Sequence, residues 1–310
     1  MPESLTVKAL VTGATGFVGG RLADTLAEGG CEVRCLVRDE GRAQHLAAAG
    51  HELHEGDVTR PDSLRGAGEG IDVAYYLVHG MGRGASDDFA QQERRSAAAF
   101  ADMASREGVA RLVYLGGLGE TPGSKHLRSR HETALILGEK GPPLTYFRAA
   151  MVVGAGSESY RTLRYLVQRL PAMIAPAWLK TRTQPVAIGD VLEYLAAAPR
   201  IDAAAGREVQ IGGPDVLSYG DMLDRMAAAL GTYRRPKVPF PLLTPWLSSL
   251  WIGLVTPVDA GVARPLIEGL STETVVTDPS GAALFDVATT PFDEALSSAI
   301  DEDNQSGGTT

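Results

Sequence analysis

The stretch Thr12-Gly13-Ala14-Thr15-Gly16-Phe17-Val18-Gly19 sets three glycines three residues apart between an apolar run and an amphipathic one. Residues 5–11 read as a short buried strand. Phe17, Val18, Leu22 and Leu26 then recur at helical spacing, and Gly29-Gly30 stops that helix. A chain that passes from strand to helix through so tight a turn has few folds open to it. Gly13 allows the turn, Gly16 lets the backbone approach a pyrophosphate, and Gly19 lets the helix pack closely on the sheet. The helix start offers free N–H groups and the positive end of its dipole to that anion. The other reading is a structural turn without a ligand. The strand before, the helix after and the distance to the next strand favour a dinucleotide held by Thr12, Gly13, Thr15, Gly16, Phe17, Val18 and Gly19.

The alternation continues down the chain. Residues 33–37, 53–58, 71–78, 111–115 and 144–147 read as strands, with helices over 42–49, 88–106 and 126–137. Thr59 with Asp62 resembles a capping box, Pro61 sitting in its first turn. Strand and helix in regular succession predict an α/β fold class, a Rossmann-type doubly wound parallel sheet. Ligands of such sheets bind beyond the carboxyl ends of the strands. After residue 150 the rhythm changes. Residues 160–170 form a basic amphipathic helix, 209–213 a strand, and Ser218 with Asp221 opens a helix ending at Gly231. The expected organisation is a cofactor-binding core over 1–155, a small substrate-side lobe over 156–300 interleaved with it, and a disordered polar tail over 301–310.

The formal net charge of −9 argues against a nucleic-acid partner held by a broad basic surface. Cys31 and Cys35 stand four apart on one extended segment, where they suit neither a four-ligand zinc site nor a disulfide. His51 and His54 fall on opposite faces of a strand, so no metal site is expected there. Nothing at the N-terminus reads as a signal peptide, so a cytoplasmic location is expected. Residues 238–258 carry no charge and include Trp246 and Trp251. Four prolines cut this run below the length that crosses a bilayer, about twenty residues. A buried or lid helix is expected there, with contact to a membrane surface or a partner as the other reading.

At the end of the second strand, Leu36-Val37-Arg38-Asp39 puts a guanidinium where a carboxylate would select NAD(H). Arg38 suits a 2′-phosphate by charge and bidentate geometry, which favours NADP(H) over NAD(H). Asp39 turning inward would oppose this, and Arg38 as a solvated strand-end charge is the plain alternative. Asp57 and Val58 end the third strand. Asp57 either reaches the adenine edge or caps the following turn. Leu77, Val78 and His79 end the fourth strand beside the cofactor, with His79 either a proton carrier or packing.

The complete TGxxGxxG match at 12–19, Asp57-Val58, and the segment Gln184-Pro185-Val186-Ala187-Ile188-Gly189-Asp190-Val191 resemble the short-chain dehydrogenase/reductase superfamily in its extended and atypical branches. Arg38 at the strand end is similar to NmrA-like and complex-I-accessory-subunit-like members. The family's chemistry uses a Tyr-x-x-x-Lys pair and a Ser or Thr. The resemblance puts His126 at the Tyr position, Arg130 at the Lys position and Gly116-Gly117 at the hydroxyl position. Arg130 suits a ribose or phosphate, but a guanidinium is no proton shuttle. His126 is either a general acid or a residue lining the pocket. The loop Arg148-Ala149-Ala150-Met151 replaces the proline-containing nicotinamide loop, with Ala149 and Met151 beside the cofactor and Arg148 touching substrate or bracing the loop. Two functions stay open: an oxidoreductase acting on a small carbonyl or quinone-like substrate, or a non-catalytic NAD(P)H-binding redox sensor or assembly protein with a protein partner.

Overall fold

The structure, a computed structural model, describes residues 6–78, 87–119, 125–169, 173–175, 177–234, 237–239 and 272–307. His79 and the segment carrying Trp246 and Trp251 lie outside the described residues.

The first half runs β1 (Lys8–Thr12), α1 (Phe17–Glu28), β2 (Glu32–Val37), α2 (Gln44–Ala48), β3 (Glu52–Glu55), β4 (Val73–Tyr76), α3 (Asp87–Arg106), β5 (Arg111–Gly117), α4 (Lys125–Lys140) and β6 (Leu144–Ala149). The second half adds β7 (Val152–Val153), α5 (Glu158–Arg169), β8 (Met173–Ala175), β9 (Arg182–Thr183), β10 (Val186–Ala187), α6 (Ile188–Ala197), β11 (Glu208–Ile211), β12 (Leu217–Ser218), α7 (Tyr219–Ala229), β13 (Lys237–Pro239) and α8 (Phe292–Gly307).

Among the described residues, the main sheet has seven strands in the order β11-β6-β5-β4-β1-β2-β3, every pair parallel. Strand order reverses between β1 and β4, and that reversal opens the crevice in which ligands of such sheets lie. Both faces are covered, as a parallel sheet requires. Ala9 and Val11 pack with Leu22, Leu26, Val191 and Leu195 of α1 and α6. Leu10, between them, points the other way, among Phe100, Met103 and Leu137 of α3 and α4. This is why the strands read as continuous apolar runs rather than alternating ones.

The chain after residue 150 builds a further core in which Tyr160, Leu163, Met222, Leu223, Met226 and Leu296 meet across α5, α7 and α8, with Leu217 of β12. It also returns to the main sheet, where β11 pairs with β6 from Glu208↔Tyr146 to Ile211↔Ala149. Ser218 and Asp221 form the full capping box at the start of α7, with Ser218 Oγ accepting from Asp221 N.

Two local expectations change. The third strand stops at Glu55, and the turn at Pro61–Leu64 starts from Arg60 with no side-chain cap, so Thr59 and Asp62 form no capping box. Ser63 takes over the local bonding: its hydroxyl accepts from Asp57 N at 2.9 Å and donates to Arg60 O at 2.7 Å. Residues 301–307 are not a disordered tail. They complete α8, because their acidic side chains find arginines that polar composition alone does not reveal. Glu302 pairs with Arg21 of α1. Asp303 lies 2.5 Å from Arg164 of α5, which also donates to Tyr160 Oη at 3.1 Å. Arg164 therefore faces the protein rather than open solvent.

His51 packs just before β3, with Nε2 3.0 Å from Asp24 Oδ1. Cys35 is buried, which pushes its thiol up to about 12, and Cys31 is half-buried. No helix among the described residues is long and apolar enough to cross a membrane.

The Arg164–Asp303 pair is only about a quarter exposed on each side, 22% and 27%. Asp303→Asn should lower the unfolding free energy by about 1–2 kcal/mol in urea titration. Breaking the open Lys8–Glu32 pair, 48% and 60% exposed, should cost less than about 1 kcal/mol in the same assay.

Candidate cofactor cleft

The turn after β1 is held by close backbone contact. Gly13 has φ +67°, and a Cβ there would lie 2.7 Å from Leu77 O. A Cβ on Gly19 would lie 2.2 Å from Gly13 O and 2.6 Å from Gly13 C. Gly19 thus presses the helix against the turn itself, a closer partner than the sheet expected from the motif. Gly16 N donates to Gly13 O at 2.9 Å. Gly16 is the N-cap of α1 and provides no side-chain cap, and no acidic residue sits in the first turn. The positive end of the helix therefore faces the crevice uncompensated. Thr12 fixes the turn to the neighbouring strand, its buried hydroxyl donating to Tyr75 O at 3.0 Å and accepting from Leu77 N at 2.9 Å.

A cleft of about 740 Å³ opens over this turn. It is lined by Thr12, Gly13, Thr15, Gly16, Phe17, Val18 and Gly19, by Leu77 and Val78 from the end of β4, and by Ala149 and Met151 after β6. Arg38, Asp57 and Val58 line one end and Arg130 the other. Phe17 is steadied by Arg21, whose guanidinium lies 4.7 Å from the ring centroid and donates to Ala155 O at 3.0 Å.

At the Arg38 end the carboxylates are engaged locally. Asp39 Oδ1 accepts from Arg42 N at 3.2 Å, which holds it in the turn before α2 rather than inward. Asp57 Oδ1 accepts from Thr59 N at 2.9 Å and from Thr59 Oγ1 at 2.8 Å, so Asp57 caps the turn while also lining the cleft. Partial burial pushes the Asp57 carboxyl up, but the two Thr59 hydrogen bonds and the nearby Arg60 and Arg38 outweigh it and hold the carboxyl below its ordinary range. Arg38 is exposed at the rim.

At the other end the floor is bare backbone. A Cβ on Gly116 would lie 2.7 Å from Tyr146 Cε2 and 2.9 Å from its hydroxyl, and one on Gly117 would lie 2.6 Å from Leu127 Cδ2. Tyr146 is itself fixed, stacked on Tyr114 with ring centroids 5.4 Å apart, and burial pushes its hydroxyl up to about 12. The space over the two glycines is filled from β6 and α4. His126 lies in the first turn of α4, and its side chain is outside the described residues. Arg130 enters the cleft one turn later, and its buried Nε has no hydrogen-bond partner among the described residues. Arg148 braces the loop after β5. It donates to Gly117 O and Gly119 O and pairs with Glu208 at 2.7 Å.

The cleft also gathers residues that the sequence pattern did not single out: Gln92, Glu93, Ser96 and Thr133, and Gly156 to Ser159 at the start of α5, with Thr59 beside Asp57. The polar residues of α3 and α4 carry no motif, and only the facing of the two helices brings them together. Among the described residues no group of three or more His, Cys, Asp or Glu is arranged to hold a metal.

Residues 13–148 match the family described as NAD(P)H-binding. Subunit 9 of the NADH dehydrogenase [ubiquinone] 1 alpha subcomplex of Arabidopsis thaliana, a mitochondrial protein, is 25% identical over 247 residues, 76% of this chain and 61% of that protein. The NAD(P)H azoreductase of Xenophilus azovorans is 24% identical over 223 residues, 65% of this chain and 75% of that protein. Among solved structures, the quinone oxidoreductase QOR2 of Escherichia coli in complex with NADPH superposes with a TM-score of 0.74 at 18% identity, over 94% of this chain and 99% of that one. The triphenylmethane reductase of Citrobacter sp. with NADP(H) gives 0.71 at 17% identity, over 94% and 99%. These structural likenesses establish the Rossmann-type fold.

Gly19→Ala should lower stability by about 1–3 kcal/mol, because the atoms in the way are backbone. Thermal melting would check this, and melting unchanged from wild type would show that the turn relaxes. Asp57 should add stability above the ordinary Asp pKa of about 3.9 and lose it as pH falls through its lower folded value. The stability difference between wild type and Asp57→Ala should therefore shrink on acidification, as read by urea titration from pH 7 to pH 2.5.

Proposed function

We propose, from the match of residues 13–148 to the family described as NAD(P)H-binding, an NADP(H)-dependent reductase of the atypical short-chain dehydrogenase/reductase kind, acting on a small carbonyl or quinone-like substrate. The observation that carries this reading is the single cleft running from Arg38, over the glycine turn, to Gly116, Arg130 and Met151. The residues present fit a dinucleotide. The turn is a cradle that side chains would fill, and Arg130 brings a buried N–H with no partner among the described residues. Gly13, Gly16 and the start of α1 would hold the pyrophosphate, Val58 would flank the adenine, and Arg38 would take the 2′-phosphate. Asp39 and Asp57, turned to Arg42 and Thr59, leave Arg38 open to a phosphate, which supports NADP(H) over NAD(H).

When bound, a reduced nicotinamide supplies a hydride. The chain's part is to orient and to exclude water. Leu77, Val78, Ala149 and Met151 would wall the nicotinamide end, and Arg130, which keeps its proton, would hold a ribose or phosphate oxygen. His126, at the position of the family's tyrosine, is the proton donor in this reading. A cytoplasmic setting suits two cysteines that form no disulfide.

One observation favours a second reading, a non-catalytic NAD(P)H-binding sensor or assembly subunit acting through a protein partner. Gly116 and Gly117 carry no hydroxyl, and a Cβ on either would require Tyr146 or Leu127 to shift. The plant complex I subunit, matched over 76% of this chain, supports it too.

Oxidation of NADPH followed at 340 nm with menadione as acceptor separates the two. Turnover that His126→Ala slows without weakening NADPH binding supports the reductase. Tight NADPH binding with no turnover of menadione or a panel of small carbonyls supports the sensor. By calorimetry, Arg38→Ala should weaken NADPH binding about 10- to 100-fold while leaving NADH within about twofold, the range expected for charge-assisted hydrogen bonds. Equal loss for both nucleotides would remove Arg38 from the 2′-phosphate.

A further inference from the structure

Two helices, α1 and α5, begin in the lining of the cleft. Phe17 is the first residue of α1, and Glu158, the first of α5, follows Gly156 and Ser157 along the same wall. The two starts meet at the Phe17 ring. A Cβ on Gly154 would lie 3.0 Å from Phe17 Cζ, and one on Gly156 would lie 3.4 Å from Phe17 Cδ2. The loop that carries these glycines is tied to itself, with Ser157 N donating to Gly154 O at 3.1 Å and Ser157 Oγ to Val152 O at 2.8 Å.

One side chain joins these parts from outside the lining. Arg21 stands one turn into α1, its guanidinium 4.7 Å from the Phe17 ring centroid. Its Nη2 donates to the carbonyl of buried Ala155 at 3.0 Å. A planar guanidinium can cover a ring and donate from its edge at the same time, which an ammonium does less well. The same Nη2 pairs with Glu302 of α8. The next residue, Asp303, lies 2.5 Å from Arg164 of α5. Neighbouring carboxylates on the last helix thus hold both helices that start at the cleft, although neither Arg21 nor Glu302 lines it among the described residues.

We propose that Arg21 is a positioning residue for the cleft: aimed by Glu302, it locks the Phe17 ring against loop 154–156 and fixes the gap between the glycine turn and the start of α5. The last helix thereby acts on a cleft it does not line. A ligand lying over the turn needs that gap at one width, and on the cofactor reading above that ligand is the dinucleotide.

Hydrogen exchange of the full chain, followed by mass spectrometry on peptides covering 152–160, 111–117 and 144–149, tests the coupling without a ligand. Arg21→Met should speed exchange in 152–160 about tenfold, as for a lost hydrogen bond to a charged group, and leave the two strands within about twofold. Glu302→Gln should speed it about threefold, since the pair is 32% and 47% exposed and so worth less. Unchanged exchange in 152–160 overturns the proposal. A rise of one size in all three peptides also overturns it, because that reports general destabilisation. Calorimetry with NADPH reads the consequence for the cleft and rests on the cofactor reading. Arg21→Met should weaken NADPH about tenfold and Glu302→Gln about threefold, by the same loss of the locked gap. Variants that bind NADPH as the wild type does overturn the proposal. A wild type that binds no NADPH removes the cofactor reading alone, and the exchange pattern then decides the coupling.

Discussion

The carbonyl of Gly13 and the backbone of Gly19 meet at a distance that leaves no room for a single added carbon, 2.2 Å from where a Cβ would stand. That contact draws the first turn of α1 down onto the end of β1 and aims the helix start at the crevice. Thr12 extends the constraint sideways, since its hydroxyl ties β1 to Tyr75 O and Leu77 N of the neighbouring strand. The crevice lies between these two strands because strand order reverses there. The glycine turn and the wall formed by Leu77 are thus parts of one hydrogen-bonded unit.

The two ends of the cleft are built differently. The Arg38 end is made by short-range bonding: Asp39 to Arg42, Asp57 to Thr59, and Ser63 to both Asp57 and Arg60. These bonds occupy the carboxylates and leave a guanidinium at the rim. The Arg130 end is made by two helices packed side by side on one face of the sheet, and its floor is glycine where Tyr146 and Leu127 fill the space. Glycine at 116 thus goes with the packing: the Tyr146 ring, stacked on Tyr114, lies where a Cβ would stand.

The second half of the chain fastens both ends of this arrangement. β11 extends the main sheet beside β6, and Arg148 on β6 holds the loop after β5 while pairing with Glu208 on β11. α8 reaches back to α1 through Glu302 and Arg21, and to α5 through Asp303 and Arg164. Arg21 also carries Phe17 and Ala155, so the final helix is linked by one side chain to the lining of the cleft.

The sequence by itself determined the strand–turn–helix start, the parallel α/β class and the capping box of Ser218 with Asp221, because each rests on neighbours within a few residues. The runs 5–11, 71–78 and 111–115 mark strands, and glycine spacing marks a backbone approach. Tertiary structure alone decided the rest. Asp57 was open between a cap and an adenine contact until the fold placed Thr59 and Ser63 around it. The acidic stretch at 301–307 looks disordered until Arg21 and Arg164, more than a hundred residues away in the chain, stand opposite it. Glu93 and Arg130 belong to separate helices, and no spacing along the chain records that they face one space. Hydrogen bonds and ion pairs act over a few ångströms in space, whereas periodicity and local motifs report only what lies a few residues apart.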